Sequence, residues 1–511
     1  MSNLGGIAQR WVGAGRTAYV DLTSGLDAAV EVSFDAFDEL SGRVAGGLLA
    51  RGLGRGNRVG ILADNSVAYG AAYLGIPRAG LVSVPLNTRQ PADYLTWVAD
   101  DAGMALLLHD DANADRLPAG VPAVAFDSDE WATLIAAEPA PTADVDGDEV
   151  AVQMYTSGST GRPKGVLLSH GGQLFSIDQY VNGVLPMDPD ERLLVSAPMY
   201  HKNAGMQLKM ALSLGGTVIL LRRFDADEYL RAVAAHRATA VSGVPTMFAL
   251  MAARSDLAAS LDLTSVRRAS IGSAPMTEAL HEQATGLFPE AVVTNGYGTT
   301  EVVAVFGGHP DGLARPAITL GHPLAAVDTR LVDPDSGTDA EPDPDTGHRQ
   351  GELWVASPGL MVGYHDRPDL TAAKVTDGWY HTGDVVEADA DGWHYFVGRV
   401  DDMFNCGGEN VYPGDVEQLL ERCPEVHQAA VVSVPDVLKG ELPVAFVVTA
   451  PGHQPDEEHL RRWALDHGPA YQHPRAVWFV DEIPLAGTAK IDKNALAIEA
   501  AARWVAREPS E

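Results

Sequence analysis

The sequence predicts an α/β protein: a large N-terminal domain of several subdomains with parallel-rich sheets covered by helices, then a small α+β domain at the C-terminus. Three observations carry this expectation. Short apolar runs alternate with helical periods through the first three quarters of the chain. After GRVDDMF, near residue 400, a fresh series of strand and helix signals begins. The chain has 511 residues, which suggests roughly three compact units rather than one.

The elements follow in order. SFDAFDELSGRVAGGLLARGLG places Phe34, Phe37, Leu40, Val44 and Leu48 on one helical face, with Ser33 as N-cap and Gly52 near the end. VGILADN, GLVSVPLN, MALLLHD, VAVQMYT, RLLVSAP, GGTVILL and TAVSGVP read as short buried strands, and LSLGGTVILL as one of the longest apolar stretches, also a strand. AAEPAPTADVDGDE (136–149) and DPDSGTDAEPDPDTGHRQ (333–350) read as surface connections, the second joining two strands. Its acidic spacing fits no EF-hand loop. In the last fifth, VYPGDVEQLLERC, QAAVVSVP, LPVAFVVTA, DEEHLRRWALDHG and AVWFVDEIP carry a fresh run of strand and helix signals.

Composition narrows the function. Hydrophobic residues make up 46% and charged residues 21%, the balance of a globular protein with ample core. A formal charge of -33 without a long basic run argues against nucleic acid and against an anionic membrane surface as partners. No apolar stretch reaches the roughly 18 residues of a membrane span, and the N-terminus lacks signal-peptide order. Two cysteines, Cys406 and Cys423, stand in no metal-binding or redox spacing, and His365 and His381 are isolated, so a reduced cytoplasm without zinc is the expectation.

One stretch has no packing purpose. YTSGSTGRPKG follows the strand VAVQMYT. Its glycines let successive N–H groups turn toward one anion, its hydroxyls add donors, and Lys164 adds a full charge; together they suit a polyphosphate. It is neither a Walker A loop nor a G-x-S-x-G elbow.

With PMYHKNAG at 198, NGYGTTE at 295, GELWV at 351, GWYHTGD at 378, GRVDDMFNCGGENVYPGDVE at 398 and PLAGTAKIDKNAL at 484, this loop resembles, motif by motif and in order, the adenylate-forming superfamily of acyl-CoA ligases, adenylation domains and firefly-type luciferases. The likeness runs from about residue 30 to 500. It implies an N-terminal AMP- and acyl-binding domain over 1–398, a hinge at 399–401 with Asp401 at its centre, and a mobile C-terminal domain over 402–511. It also implies two steps: a carboxylate attacks the α-phosphate of ATP, and a thiol, usually that of coenzyme A, then displaces AMP.

Site residues carry over from the resemblance position by position. Thr156, Ser157, Gly158, Ser159, Thr160, Gly161 and Lys164 would hold the β- and γ-phosphates. Thr300 and Glu301 would reach the α-phosphate and a Mg2+ ion, with Thr160 as the ion's other ligand. Tyr297, within Asn295, Gly296, Tyr297 and Gly298, would lie against adenine, and Gly272, Ser273, Ala274 and Pro275 would line the nucleotide's other side. Asp384 would accept the ribose hydroxyls and Arg399 add a contact. His201 would border the acyl pocket, drawn from Asn203, Gly205, Val241, Gly243 and Gly272, whose small or apolar character favours a hydrophobic acid over an amino acid. Lys490 would serve adenylation, and rotation of the C-terminal domain would bring Gly407 and Gly408 to the pantetheine channel.

The sequence departs from the family pattern once. Ala489 stands where most relatives have glycine, just before Lys490. If that position needs positive φ, alanine costs about 1–2 kcal/mol. This raises the alternative of an enzyme that adenylates weakly and converts a supplied acyl-adenylate to the thioester. Loading of a carrier protein in trans is another, a non-catalytic binder a third, and a luciferase-like oxidation a fourth. A homodimer is compatible with all of them.

Overall fold

The computed structural model describes residues 2–156, 163–184, 186–406, 409–436, 438–485 and 491–507. The chain divides into two compact units: Met1–Thr329 with Val355–Tyr380, and Arg330–Trp354 with His381–Glu511.

The first unit is built on two seven-stranded sheets. One runs in the order Val292–Gly296, Arg268–Gly272, Ala240–Gly243, Arg192–Val195, Thr217–Leu220, Thr17–Asp21, Val30–Ser33, parallel except for the last pair. The other runs Gly363–Tyr364, Lys164–Ser169, Val150–Thr156, Val82–Pro85, Arg58–Leu62, Met104–His109, Ala123–Ala125. Its first two pairings are antiparallel and the rest parallel. Every run foreseen as a strand contains one. The strands are short and apolar because helices cover them: the four residues of Thr217–Leu220 are all buried.

Serine and threonine caps set several helix starts. Ser33 Oγ accepts the Ala36 amide to open Phe34–Ala50, and Ser66, Ser128, Ser169 and Thr277 repeat the device. Two expectations need correction. In LSLGGTVILL, Leu212–Leu214 finish the helix Lys202–Leu214, and Gly215 at φ 85 ends it before the strand. Segment 136–149 is not purely surface: Ala140 and Val145 are buried, and the Ala140 carbonyl accepts from Nε of Arg78, itself paired with Asp38 at 2.7 Å. Proline and polar composition hid that anchoring.

The second unit contains the strands Asp328–Val332, Arg349–Ala356, Trp379–Ala388 and His394–Arg399 over most of their lengths. The acidic stretch 333–350 joins the first two of these as an exposed connection. A further sheet orders Glu409–Val411, Phe404–Cys406, Gly440–Thr449 and Val426–Asp436, with Ala476–Phe479 parallel to Gly440–Thr449. Helices Pro413–Glu421, Glu457–His467 and Lys493–Arg507 accompany it, around a core that includes Val416, Leu420, Val431, Phe446 and Leu460. Among the described residues, no helix is long and apolar enough to cross a membrane.

Candidate active site

The parallel strands of the first sheet deliver loops from their carboxyl ends, where α/β sheets gather their ligand-binding groups. Gly243 ends one strand, Gly272 the next and Gly296 the third. Gly272 and Gly296 are register partners, and a β-carbon at 272 would lie 2.6 Å from the Gly296 carbonyl oxygen, so only glycine allows the strands to end this closely. Ser273 follows with φ 69, a left-handed backbone unusual for a side-chain-bearing residue. Asn295 donates from Nδ2 to the carbonyl of Ile318, also left-handed at φ 56. Tyr297 meets Phe306 edge to face at 5.6 Å. Strain held in this loop cluster is of the kind that binding sites retain.

Glu301 is the electrostatic centre of the unit's site. It is buried, its Oε1 accepts from the Tyr364 hydroxyl at 2.8 Å, and its backbone carbonyl accepts from Met361. Burial and the neighbouring carboxylate push the Tyr364 phenol upward, so it stays a donor. Tyr380 is raised by the same two causes. The Lys164 ammonium lies 5.0 Å above the Tyr364 ring. Thr156 and Lys164 are cross-strand partners, which brings the two ends of the glycine-rich loop together.

His201 is the N-cap residue of Lys202–Leu214, with its ring 4.6 Å from that of Tyr200. Asn65, which the sequence reading did not single out, fixes this loop: buried, it donates to the carbonyls of Ala197 and Leu221 and accepts from the Met199 amide. Asn203 Oδ1 accepts from Gln207, which also donates to Ser242. Gly205 is buried in the helix, and Val241 packs into the core of the first sheet. Lys202 was also passed over. Its Nζ lies 3.5 Å from the Thr300 carbonyl, and burial, opposed by Glu301, brings its pKa down to about 7.

In the second unit, Asp384 and Arg399 are register partners, and Arg399 Nη1 donates to Asp384 Oδ1 at 2.6 Å. The HTGD stretch is tied to the GELWV strand: Thr382 Oγ1 donates to the Leu353 carbonyl and the Gly383 amide to Glu352. Asp401 sits in the short helical turn Val400–Asp402, 3.7 Å from Arg399. Ser157, Gly158, Ser159, Thr160, Gly161, Gly407, Gly408, Ala489 and Lys490 lie outside the described residues.

Glu301 fits a hard divalent cation in one respect. Among the described residues Tyr364 engages only Oε1, leaving Oε2 as a carboxylate oxygen of the kind Mg2+ takes.

Comparison with known proteins gives a consistent result. Residues 8–365 match the AMP-binding enzyme family, and residues 415–490 match the AMP-binding enzyme C-terminal domain. A feruloyl-CoA synthase of Amycolatopsis sp is 38% identical over 475 residues, covering 90% of this chain and 92% of that protein. A methyl-dioxo-octahydro-indenyl-propanoyl:CoA ligase of Mycobacterium tuberculosis is 34% identical, covering 88% of this chain and 90% of the relative. ATP-bound MatB from Rhodopseudomonas palustris superposes with a TM-score of 0.88 at 29% identity, over 98% of this chain and 99% of its own.

Proposed function

Since the chain belongs to the AMP-binding enzyme family and is an acid–thiol ligase that joins an acid to coenzyme A with ATP, we propose that it activates a hydrophobic, ring-bearing acid through an acyl-adenylate. The buried Glu301, hydrogen-bonded by Tyr364 beneath the Lys164 ammonium, is the observation that supports this reading best.

In the first step a carboxylate oxygen of the acid bonds to the α-phosphorus, and the bond to pyrophosphate breaks. Two anions must approach, so fixed positive charge and oriented donors lower the barrier. Lys164 and the loop from Thr156 to Gly161 bind the leaving phosphates. Glu301 and Thr160 would hold Mg2+, which would supply positive charge against the phosphates. Thr300 meets the α-phosphate, Tyr297 and the Gly272–Pro275 stretch bracket adenine, and Asp384, oriented by Arg399, accepts the ribose hydroxyls. Lys490 offsets charge as the new P–O bond forms.

In the second step the coenzyme A sulfur bonds to the acyl carbon, the thiol loses its proton, and the bond to AMP breaks. His201 borders the acyl group during both steps. Rotation about Asp401 exchanges Lys490 for Gly407 and Gly408 between them.

Purified protein incubated with ATP, coenzyme A and a panel of aryl and polycyclic acids should release AMP and form a coenzyme A thioester in equal amounts. Product that forms only with a phosphopantetheinyl carrier protein would replace coenzyme A as the acceptor. Ala489 supports a second reading, in which thioester formation dominates. There, synthetic acyl-adenylate turns over about 100-fold faster than free acid with ATP, the scale expected for a displaced charge-stabilising group. Matching rates would remove that reading.

A further inference from the structure

Neither cysteine stands in a metal-binding spacing, yet the fold gives one of them two further donors. Cys423 Sγ, a carboxylate oxygen of Glu425 and a ring nitrogen of His459 lie within 4.8 Å of one another, the only such group among the described residues. His459 Nε2 is 2.6 Å from Glu425 Oε2, and the same oxygen is 4.0 Å from Cys423 Sγ. The group includes none of the residues assigned to the reaction.

Its backbone is fixed on every side. Cys423 and Glu425 flank Pro424 in the turn that leaves the helix Pro413–Glu421. The Cys423 amide donates to the Leu420 carbonyl at 3.0 Å, the Val426 amide to the Cys423 carbonyl at 2.9 Å, and the Ala450 amide to the Glu425 carbonyl at 2.9 Å. His459 stands in the first turn of Glu457–His467, where its own amide donates to Oδ1 of the N-cap Asp456 at 2.8 Å. One turn on, the Trp463 indole donates to the Leu419 carbonyl at 3.0 Å and ties the two helices together. Cys423 is 1% exposed, whereas the side chains of His459 and Glu425 keep 49% and 33% of their surface. The thiol is therefore the floor of the group, and the other two donors close over it from the solvent side, where water can supply a fourth.

The donor set and its dimensions suit one kind of ion. Tetrahedral Zn2+, bonded at about 2.3 Å to sulfur and about 2.0–2.2 Å to nitrogen and oxygen, sets its ligands roughly 3.3–3.6 Å apart. To reach that spacing, Sγ and Oε2 must close, and Nε2 and Oε2 must part, by less than about 1 Å each. Rotation of the two partly exposed side chains supplies such shifts. An ion pair this exposed contributes little by itself, so an entering ion has little to displace. Thiolate and imidazole favour Zn2+ over Mg2+, which takes oxygen donors. Thiolate and carboxylate together balance the charge of a divalent ion, and the thiol proton leaves as the sulfur–metal bond forms.

We propose that Cys423, Glu425 and His459 form a Zn2+ site that fastens the end of the helix Pro413–Glu421 to the start of Glu457–His467. The site does not depend on the ligase reading, and its readouts require no turnover.

The test uses Co2+ in place of Zn2+, added to the full-length protein after chelator treatment and dialysis. One equivalent should give a thiolate-to-cobalt charge-transfer band with tetrahedral d–d bands, abolished by Zn2+ and unaffected by excess Mg2+. Cys423→Ser should remove the charge-transfer band and Cys406→Ser should retain it. His459→Gln, at a half-exposed position outside the core, should weaken Co2+ binding about 100-fold or more. Zn2+ at about 100 times its Kd should raise Tm by several degrees in wild type and far less in His459→Gln. A charge-transfer band that never forms in excess Co2+, or that survives in Cys423→Ser, overturns the site. So does an equal rise in Tm in wild type and His459→Gln, which decides the matter even if Cys423→Ser does not fold.

Discussion

Glu301 takes its hydrogen bond from Tyr364, 63 positions further along the chain, and that distance explains what could be read in advance. The carboxylate itself was legible, because NGYGTTE is one of the motifs that carry the family resemblance. Tyr364 was not, since nothing near GYHDRP marks its hydroxyl as a partner to a distant acid. Lys202 stood inside the quoted PMYHKNAG stretch, but only the fold turns it toward Thr300. A hydrogen bond to a charged group contributes about 1.5–3 kcal/mol. Tyr364→Phe should therefore lower the rate of AMP formation about 10- to 100-fold, with Tm changing little because the ring still packs. Glu301→Gln, which keeps the shape and removes the charge, should lower it further and raise KM for MgATP. Unchanged AMP formation in Tyr364→Phe would show that Glu301 needs no orienting partner.

Elements were legible where period and burial agree. Continuous apolar runs marked the strands, and Ser33 marked a helix start; the boundary inside LSLGGTVILL was not, because a buried helix end and a buried strand are equally apolar. Nor did sequence show how the N-terminus is secured. The Leu4 amide donates to Nδ1 of His170, the first residue of His170–Gln179, at 3.0 Å. Burial lowers the pKa of His170 from 6.5 to about 4, with Glu149 opposing and Arg55 adding to the shift. The sign follows directly. A folded pKa below the unfolded one means that the unfolded chain takes up the proton first as pH falls. This stabilisation is complete above about pH 6.5 and is lost progressively down to about pH 4. Its ceiling is about 3 kcal/mol by linkage. Wild type and His170→Asn, whose side-chain oxygen can still accept from Leu4, should differ most in Tm at pH 7.5 and converge, or cross, by pH 5. A constant difference across that range would mean that His170 titrates alike in both states.

At the scale of the whole molecule, the restart of strand and helix signals near residue 400 was legible, but the return of Arg330–Trp354 to the second unit was not, because pairing between strands distant in sequence leaves no local mark. For the same reason spacing could not show that one side-chain ligand atom from each of Cys423, Glu425 and His459 lies within 4.8 Å of the others, with His459 Nε2 2.6 Å from Glu425 Oε2. Net charge, by contrast, needs no fold to be read. With 69 acidic and 36 basic residues, folding concentrates an excess of 33 negative charges. The exposed pairs that offset this, such as Arg222 with Asp64 and Arg462 with Glu458, are each worth less than about 1 kcal/mol and are themselves screened by salt. Arg78 with Asp38 is more buried and is screened less. Long-range repulsion and short exposed pairs thus respond to salt in opposite directions, and the repulsion involves many more charges. The screening length falls from about 30 Å at 0.01 M to about 8 Å at 0.15 M, so most of the repulsion disappears over that interval. Tm measured in potassium chloride with a chelator present should rise by several degrees between those concentrations and then level off. A fall in Tm over the same range would mean that local ion pairs, not net charge, govern the salt response of this fold.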